Sequence, residues 1–186
     1  MPLALNPSRR AWLLTLSLAA MSGIAAAASD AAPKIDAPNV VPITPRLISA
    51  GQPTAAALGK LGAQGFGAVI YLAPPTSSDA VKGEAEIVRR QGLQFTNIPI
   101  EFNKPGPQDF ADFEKAMAAA GDRKVLVHCQ VNMRGSSMVF LHRVITGKED
   151  PEVAYASVTK VWAPSGVWRE FIVNTLRAHD VDFEPY

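Results

Sequence analysis

The chain has a single cysteine, Cys129, in 186 residues, which excludes an intramolecular disulfide. It also lacks a block of charge of either sign: 18 lysines and arginines face 17 aspartates and glutamates. The basic residues do not cluster beyond Arg89-Arg90, which reads as solvated helix surface. That balance leaves no electrostatic footprint for nucleic acid, and no nucleic-acid partner is expected. Histidine is sparse too. His128, His142 and His179 have no spacing suited to a metal site, and no metal or organic cofactor is implied. His142 and His179 read as helix-surface or packing residues. Internal repeats and low-complexity segments are absent, and so are long apolar runs once the first 28 residues are set aside.

Those first residues have the pattern of a processing segment. Arg9 and Arg10 precede an uncharged run from Ala11 to Ala20, and a small-residue stretch ends at Ala26-Ala27-Ala28, the n-region, h-region and A-x-A site of a secretory signal. The stretch from Ala11 to Ala28 approaches the roughly 18 to 20 residues that span a bilayer, but its second half is mostly alanine, too weakly apolar to hold in lipid. The expectation is a signal peptide over 1–28, a periplasmic or secreted product, and no stable membrane insertion after cleavage. Cleavage takes the formal charge from +1 to −1 and leaves 158 residues, the usual size of one domain. In an oxidising compartment cysteines are normally paired or missing, so a lone thiol is either buried filler or chemistry.

Prolines at 33, 38, 42 and 45 preclude a helix and disfavour a sheet interior, so residues 29–45 read as an extended arm before a domain over 46–186. Short apolar runs then alternate with helical patterns. Strands are expected at Leu47 to Ala50, Ala68 to Leu72, Phe95 to Ile100 and Lys124 to His128. Helices are expected from Thr54 to Ala63, Asp79 to Gln91, Pro107 to Ala120, Ser136 to Ile145, Pro151 to Trp162 and Pro164 to His179. Strands alternating with helices argue an α/β fold, a small, mainly parallel sheet flanked by helices, in which ligands bind beyond the carboxyl ends of the strands. The aromatic residues Tyr155, Trp162, Trp168 and Phe171 read as packing, with the Trp162-Ala163-Pro164 corner a candidate border of the cleft.

Cys129 stands where the apolar run Val125-Leu126-Val127-His128 ends and a helix begins. A loop there aims backbone N–H groups at one point and the helix adds its positive end, a field that favours an anion and a thiolate. Arg134 supplies a planar fork matched to two oxygens of a phosphate or sulfate. Ser136 and Ser137 offer hydroxyls at the helix start, one of which could donate to the thiolate. His128 reads as a residue that orients the loop and not as a general base. A cysteine at a strand end is often only a small buried hydrophobe; the neighbours here favour chemistry.

With these motifs the chain resembles the cysteine-dependent tyrosine and dual-specificity phosphatases, in particular their bacterial tyrosine-phosphatase-like branch. The resemblance runs from Arg46-Leu47-Ile48-Ser49-Ala50-Gly51-Gln52-Pro53 through Ile98-Pro99-Ile100 and Val125 to Cys129, reaching about Leu176. It implies a phosphatase that hydrolyses phosphate monoesters, of protein phosphotyrosine or dual-specificity type, through a phosphocysteine on Cys129. Arg134 and the loop residues Gln130, Val131, Asn132, Met133, Gly135 and Ser136 would bind the substrate, a phosphorylated protein or a small phosphoester. The family also uses a carboxylic acid on the loop after the strand that precedes the cysteine strand. Glu101 is the only carboxylate between Glu101 and Gly106, with Asp109 the competitor in the first turn of the next helix. The chain departs from the common pattern in having four residues, not five, between cysteine and arginine, and in lacking a glycine inside the loop. Two alternatives therefore stay open: a rhodanese-like sulfurtransferase with Cys129 as persulfide carrier, and a non-catalytic phosphate-binding pseudophosphatase.

Overall fold

The computed structural model describes residues 34–186; the expected signal peptide lies outside the described residues. Five strands form one sheet in the order β1-β2-β5-β3-β4. They are β1 (Val41–Thr44), β2 (Leu47–Ala50), β3 (Phe66–Tyr71), β4 (Gln94–Asn97) and β5 (Lys124–His128). Neighbours pair in parallel except β1, which runs antiparallel to β2 at the edge. The helices are α1 (Ala55–Leu58), α2 (Glu84–Arg89), α3 (Pro107–Ala120), α4 (Met133–Ile145), α5 (Pro151–Thr159) and α6 (Gly166–Arg177). The mainly parallel α/β sheet is the one the alternation of patterns implies. Part of the arm joins it: Val41–Thr44 pairs with β2, and Pro42 is tolerated because an edge strand has one side free of the ladder.

β5 lies at the centre, hydrogen-bonded to β2 and β3, and its side chains alternate between two cores as the period of a strand requires. Val125 and Val127 join the larger cluster with Phe113, Phe140, Tyr155 and Trp168, beneath α3 to α6. Leu126 joins Ile48, Val69, Leu58 and Leu61 in a smaller cluster on the α1 and α2 side. A strand buried on both faces accounts for the unbroken apolar run. The same alternation sends His128 toward α2 and puts Cys129 in the larger cluster.

Three of the departures from the expected helices have a clear local reason. The helix expected from Asp79 to Gln91 shortens to α2, because Gly83 takes a left-handed φ of 71° and the preceding residues close turns, Ser77 to Pro74 and Ala80 to Ser77. The helix expected from Thr54 is one turn, capped by Thr54 Oγ1 and followed by a 3-10 turn at Gly62–Gln64. α4 starts three residues early, at Met133, because Asn132 closes its first turn with a left-handed φ of 70° and its carbonyl accepts from Ser136 N at 2.8 Å. Arg134, Gly135 and Ser136 thus stand on a helix, and the loop proper is Cys129 to Asn132.

Candidate functional site

The end of β5 is tied on both sides before the loop begins. Leu72 N donates to His128 O at 2.8 Å, and Cys129 N to Ala50 O at 3.3 Å. Beyond that point the carbonyls are turned to protein donors. Gln130 O accepts from Gln52 N at 2.9 Å, Val131 O from Asn39 Nδ2 at 2.9 Å, and Asn132 O from Ser136 N. Met133 O accepts from both Ser136 Oγ and Ser137 Oγ. In a planar trans peptide the next N–H points opposite to the carbonyl, so the N–H groups of Val131, Met133 and Arg134 face away from these donors. Neither they nor Gly135 N pairs with an acceptor among the described residues. Together with the start of α4 they form an electropositive cradle suited to an oxyanion.

Several residues that carry no charge build this cradle. Gly51 is pinched between arm and loop: a Cβ there would lie 2.7 Å from Gln130 O and 2.9 Å from Pro38 Cβ. The missing loop glycine is replaced by Asn132, a residue type that tolerates the left-handed region. Its side chain is buried and donates to Asn39 O at 2.7 Å and Ser49 Oγ at 3.0 Å. At Gly135 a Cβ would stand 2.5 Å from Asn132 Oδ1. The hydroxyls of Ser136 and Ser137 are engaged with Met133 O and not with the thiol.

Arg134 projects from the first turn of α4 to the loop after β4, only 4% exposed. Its Nε donates to Ile100 O at 3.0 Å, Nη1 to Gln130 Oε1 at 3.3 Å, and its guanidinium lies 5.0 Å from the Phe102 ring centroid. Two of its N–H groups are thereby used, leaving the others for a ligand. Phe102 rests on Trp162 and Trp168, whose indole N–H donates to Phe102 O at 2.8 Å. Arg134, Glu101, Phe102, Asn103, Pro74 and Ser77 line a shallow hollow of about 390 Å³. Glu101 is therefore brought to the arginine. Asp109 is engaged elsewhere, its carboxylate accepting Gly106 N at 2.8 Å in the cap of α3. Cys129 itself has no exposed surface, and the Arg134–Gln130 contact closes the loop residues that follow it. A larger cavity, about 500 Å³ between α3 and α6, includes none of these polar groups except Asn103.

Behind Cys129 lies a second buried group that sequence reasoning missed. His128 Nε2 approaches Glu84 Oε1 at 2.7 Å, with side chains 0% and 6% exposed. The approach is off the hydrogen-bonding direction, so it is a close polar contact and not an aligned bond. The carboxylate's other oxygen accepts from Gln52 Nε2 at 2.9 Å, and Gln52 N in turn holds Gln130 O. Tyr71 stacks on His128, centroids 4.8 Å apart. Burial, then the Glu84 charge, pushes the Tyr71 phenol up to about 12, so it stays neutral. The helical pattern around Glu84 gives no hint that its carboxylate turns inward; Gln52, within the Ser49-to-Pro53 turn, was the available signal. Among the described residues no group of three or more His, Cys, Asp or Glu is arranged to hold a metal ion.

No protein-family model matches the chain, and no curated protein sequence matches it. Solved structures do. The "Putative phosphatase (DUF442)" of Shewanella putrefaciens CN-32 is 26% identical with a TM-score of 0.71, over 77% of this chain and 94% of that one. Tk-PTP in its active form is 18% identical with a TM-score of 0.60, over 77% and 97%. Kinase associated phosphatase, with its catalytic cysteine replaced by serine, is 12% identical with a TM-score of 0.62, over 74% and 89%. Sheet order, central β5 and the cysteine loop at its carboxyl end thus belong to a known architecture, and the chain has the fold of the cysteine-dependent tyrosine and dual-specificity phosphatases.

Proposed function

We propose that the protein is a cysteine-dependent phosphatase that hydrolyses phosphate monoesters, of protein phosphotyrosine or dual-specificity type, through a phosphocysteine intermediate. The observation that carries this reading is the segment from Cys129 to Arg134, whose carbonyls are held by outside donors while N–H groups and a guanidinium are left for an anion. An incoming phosphoryl group displaces Gln130 Oε1 from Arg134. The Cys129 thiolate attacks phosphorus in line, an S–P bond forms, and the P–O bond to the leaving group breaks as Glu101 gives that oxygen its proton. Water then attacks phosphorus, Glu101 takes its proton, and the S–P bond breaks to release phosphate and thiolate.

Glu101 in the arginine hollow favours phosphoryl transfer over a sulfurtransferase, which needs no acid, and Asp109 is committed to its helix cap. Glu101→Gln should slow turnover by roughly 10²-fold or more on substrates with poor leaving groups and far less on activated aryl phosphates. Steepening by Asp109→Asn alone would transfer the role to Asp109. The class is tested by assaying the protein side by side with an aryl phosphate and with thiosulfate plus cyanide. Hydrolysis of the first, lost in Cys129→Ser, supports the reading; thiocyanate formation without phosphate release refutes it. Export is part of the proposal: the periplasmic product should begin at or near Ser29 by intact mass, and full-length chain retained in membranes would refute it.

A further inference from the structure

We propose that Asn39, in the proline-rich arm, is a positioning residue for the anion cradle, so that the arm is a working part of the site. The inference rests on reading the Cys129 loop as an oxyanion site. Asn39 is 92 residues from Val131 in sequence yet makes a reciprocal pair with the loop: its Nδ2 donates to Val131 O at 2.9 Å, and its own carbonyl accepts Asn132 Nδ2 at 2.7 Å. Its backbone is left-handed, φ 49°, a conformation Asn adopts more readily than most residues. The neighbouring arm is bonded to the same turn, Pro38 O accepting Gly51 N at 2.7 Å and Asp36 O accepting Thr54 N at 3.0 Å.

The loop needs such a clamp at that peptide. Val131 is 41% exposed, so water competes for its carbonyl and buried packing does not hold its orientation. Asn132 is a non-glycine residue in left-handed backbone, which its side-chain bonds to Asn39 O and Ser49 Oγ must sustain. Without that hold the Val131–Asn132 peptide is free to rotate, and the flanking Val131 and Met133 N–H groups that face the cradle are displaced with it. Asn39 fixes the Val131 carbonyl outward from one side and holds the Asn132 side chain from the other.

Asn39 is exposed, so its variants test the site with little effect on folding. Asn39→Asp keeps the backbone acceptor and the tolerance of positive φ but loses the donor to Val131 O; Asn39→Gly keeps only the backbone. The probe is inorganic phosphate binding to the full chain by calorimetry, with melting temperature and kcat/KM on an aryl phosphate in parallel. Both variants should bind phosphate about 10-fold more weakly, the cost of roughly one hydrogen bond, with a fall in kcat/KM and nearly unchanged melting. Wild-type affinity in both variants overturns the clamp. If the wild type neither binds phosphate nor hydrolyses the ester, the phosphatase reading falls separately, and amide hydrogen exchange decides the clamp: faster exchange over residues 130–135 in Asn39→Asp supports it, and unchanged exchange overturns it.

Discussion

Two histidine–carboxylate pairs in this molecule share a closest approach of 2.7 Å and differ in everything around it. His128–Glu84 lies under the cysteine loop, where the histidine has no exposed side chain and the carboxylate is also tied to Gln52. His142–Glu114 joins α4 to α3 with side chains 21% and 26% exposed, and Glu114 also accepts from Thr146 Oγ1. His142, which reads as a helix-surface or packing residue, thus forms a cross-helix contact with Glu114. The partly exposed pair supports packing; the buried one joins α2, β5 and the turn before α1 to the loop. Geometry alone does not separate them. Burial and connection do.

The comparison breaks most sharply if both carboxylates are truncated. Glu84→Ala leaves a buried histidine and the Gln52 amide without their partner, and breaking a buried pair costs about 3–5 kcal/mol. Glu114→Ala removes a partly solvated contact worth about 0.5–1 kcal/mol. Urea unfolding of the two variants reads the difference directly, and equal losses would erase the distinction.

A second substitution acts on the loop without touching either pair. Gly135→Ala places a Cβ against Asn132 Oδ1, whose side chain is already held by Asn39 and Ser49. Aryl phosphate turnover should fall by roughly 10²-fold, the size of effect expected when a site is misplaced by about an ångström, while urea stability changes less than in Glu84→Ala. Full activity in Gly135→Ala would show that the close approach does not matter.

The smallest effect is a pH dependence. Burial pushes Glu114 up, but the bonds from His142 and Thr146 outweigh it and hold its carboxyl below the ordinary value of 4.5. A carboxylate lowered on folding stabilises the protein fully above that ordinary value and loses the contribution as pH falls through the lowered one. The acid limb of wild-type stability should therefore be steeper than that of Glu114→Gln below about pH 4.5, as read from melting temperature against pH. Parallel limbs would assign the acid sensitivity to other carboxylates.

Much of this arrangement was legible in the sequence because it follows local rules. The unbroken run Val125-Leu126-Val127 marks a strand buried on both faces, and Pro107 and Gly121 bracket α3. Cys129 and Arg134, flanking a strand-to-helix turn, mark the site. What escaped depends on distant pairings. Nothing near Gly83 says that the chain turns left-handed there and cuts the expected helix to six residues, nothing around Glu84 says that its carboxylate is buried, and the arm's prolines conceal that Val41–Thr44 completes the sheet edge while Asn39 reaches the loop. The loop's missing glycine is a further case, since its compensation by Asn132 depends on residues more than eighty positions away.

The central claim, that Cys129 is a nucleophile toward phosphorus, is tested most directly by acid-quenching the enzyme during turnover of an aryl phosphate and mapping phosphoryl adducts by mass spectrometry. The account predicts a phosphoryl group on Cys129, the chain's one cysteine, absent in Cys129→Ser, which should also lose turnover. Sustained phosphate release with no adduct on Cys129, and equal turnover by Cys129→Ser, would contradict it.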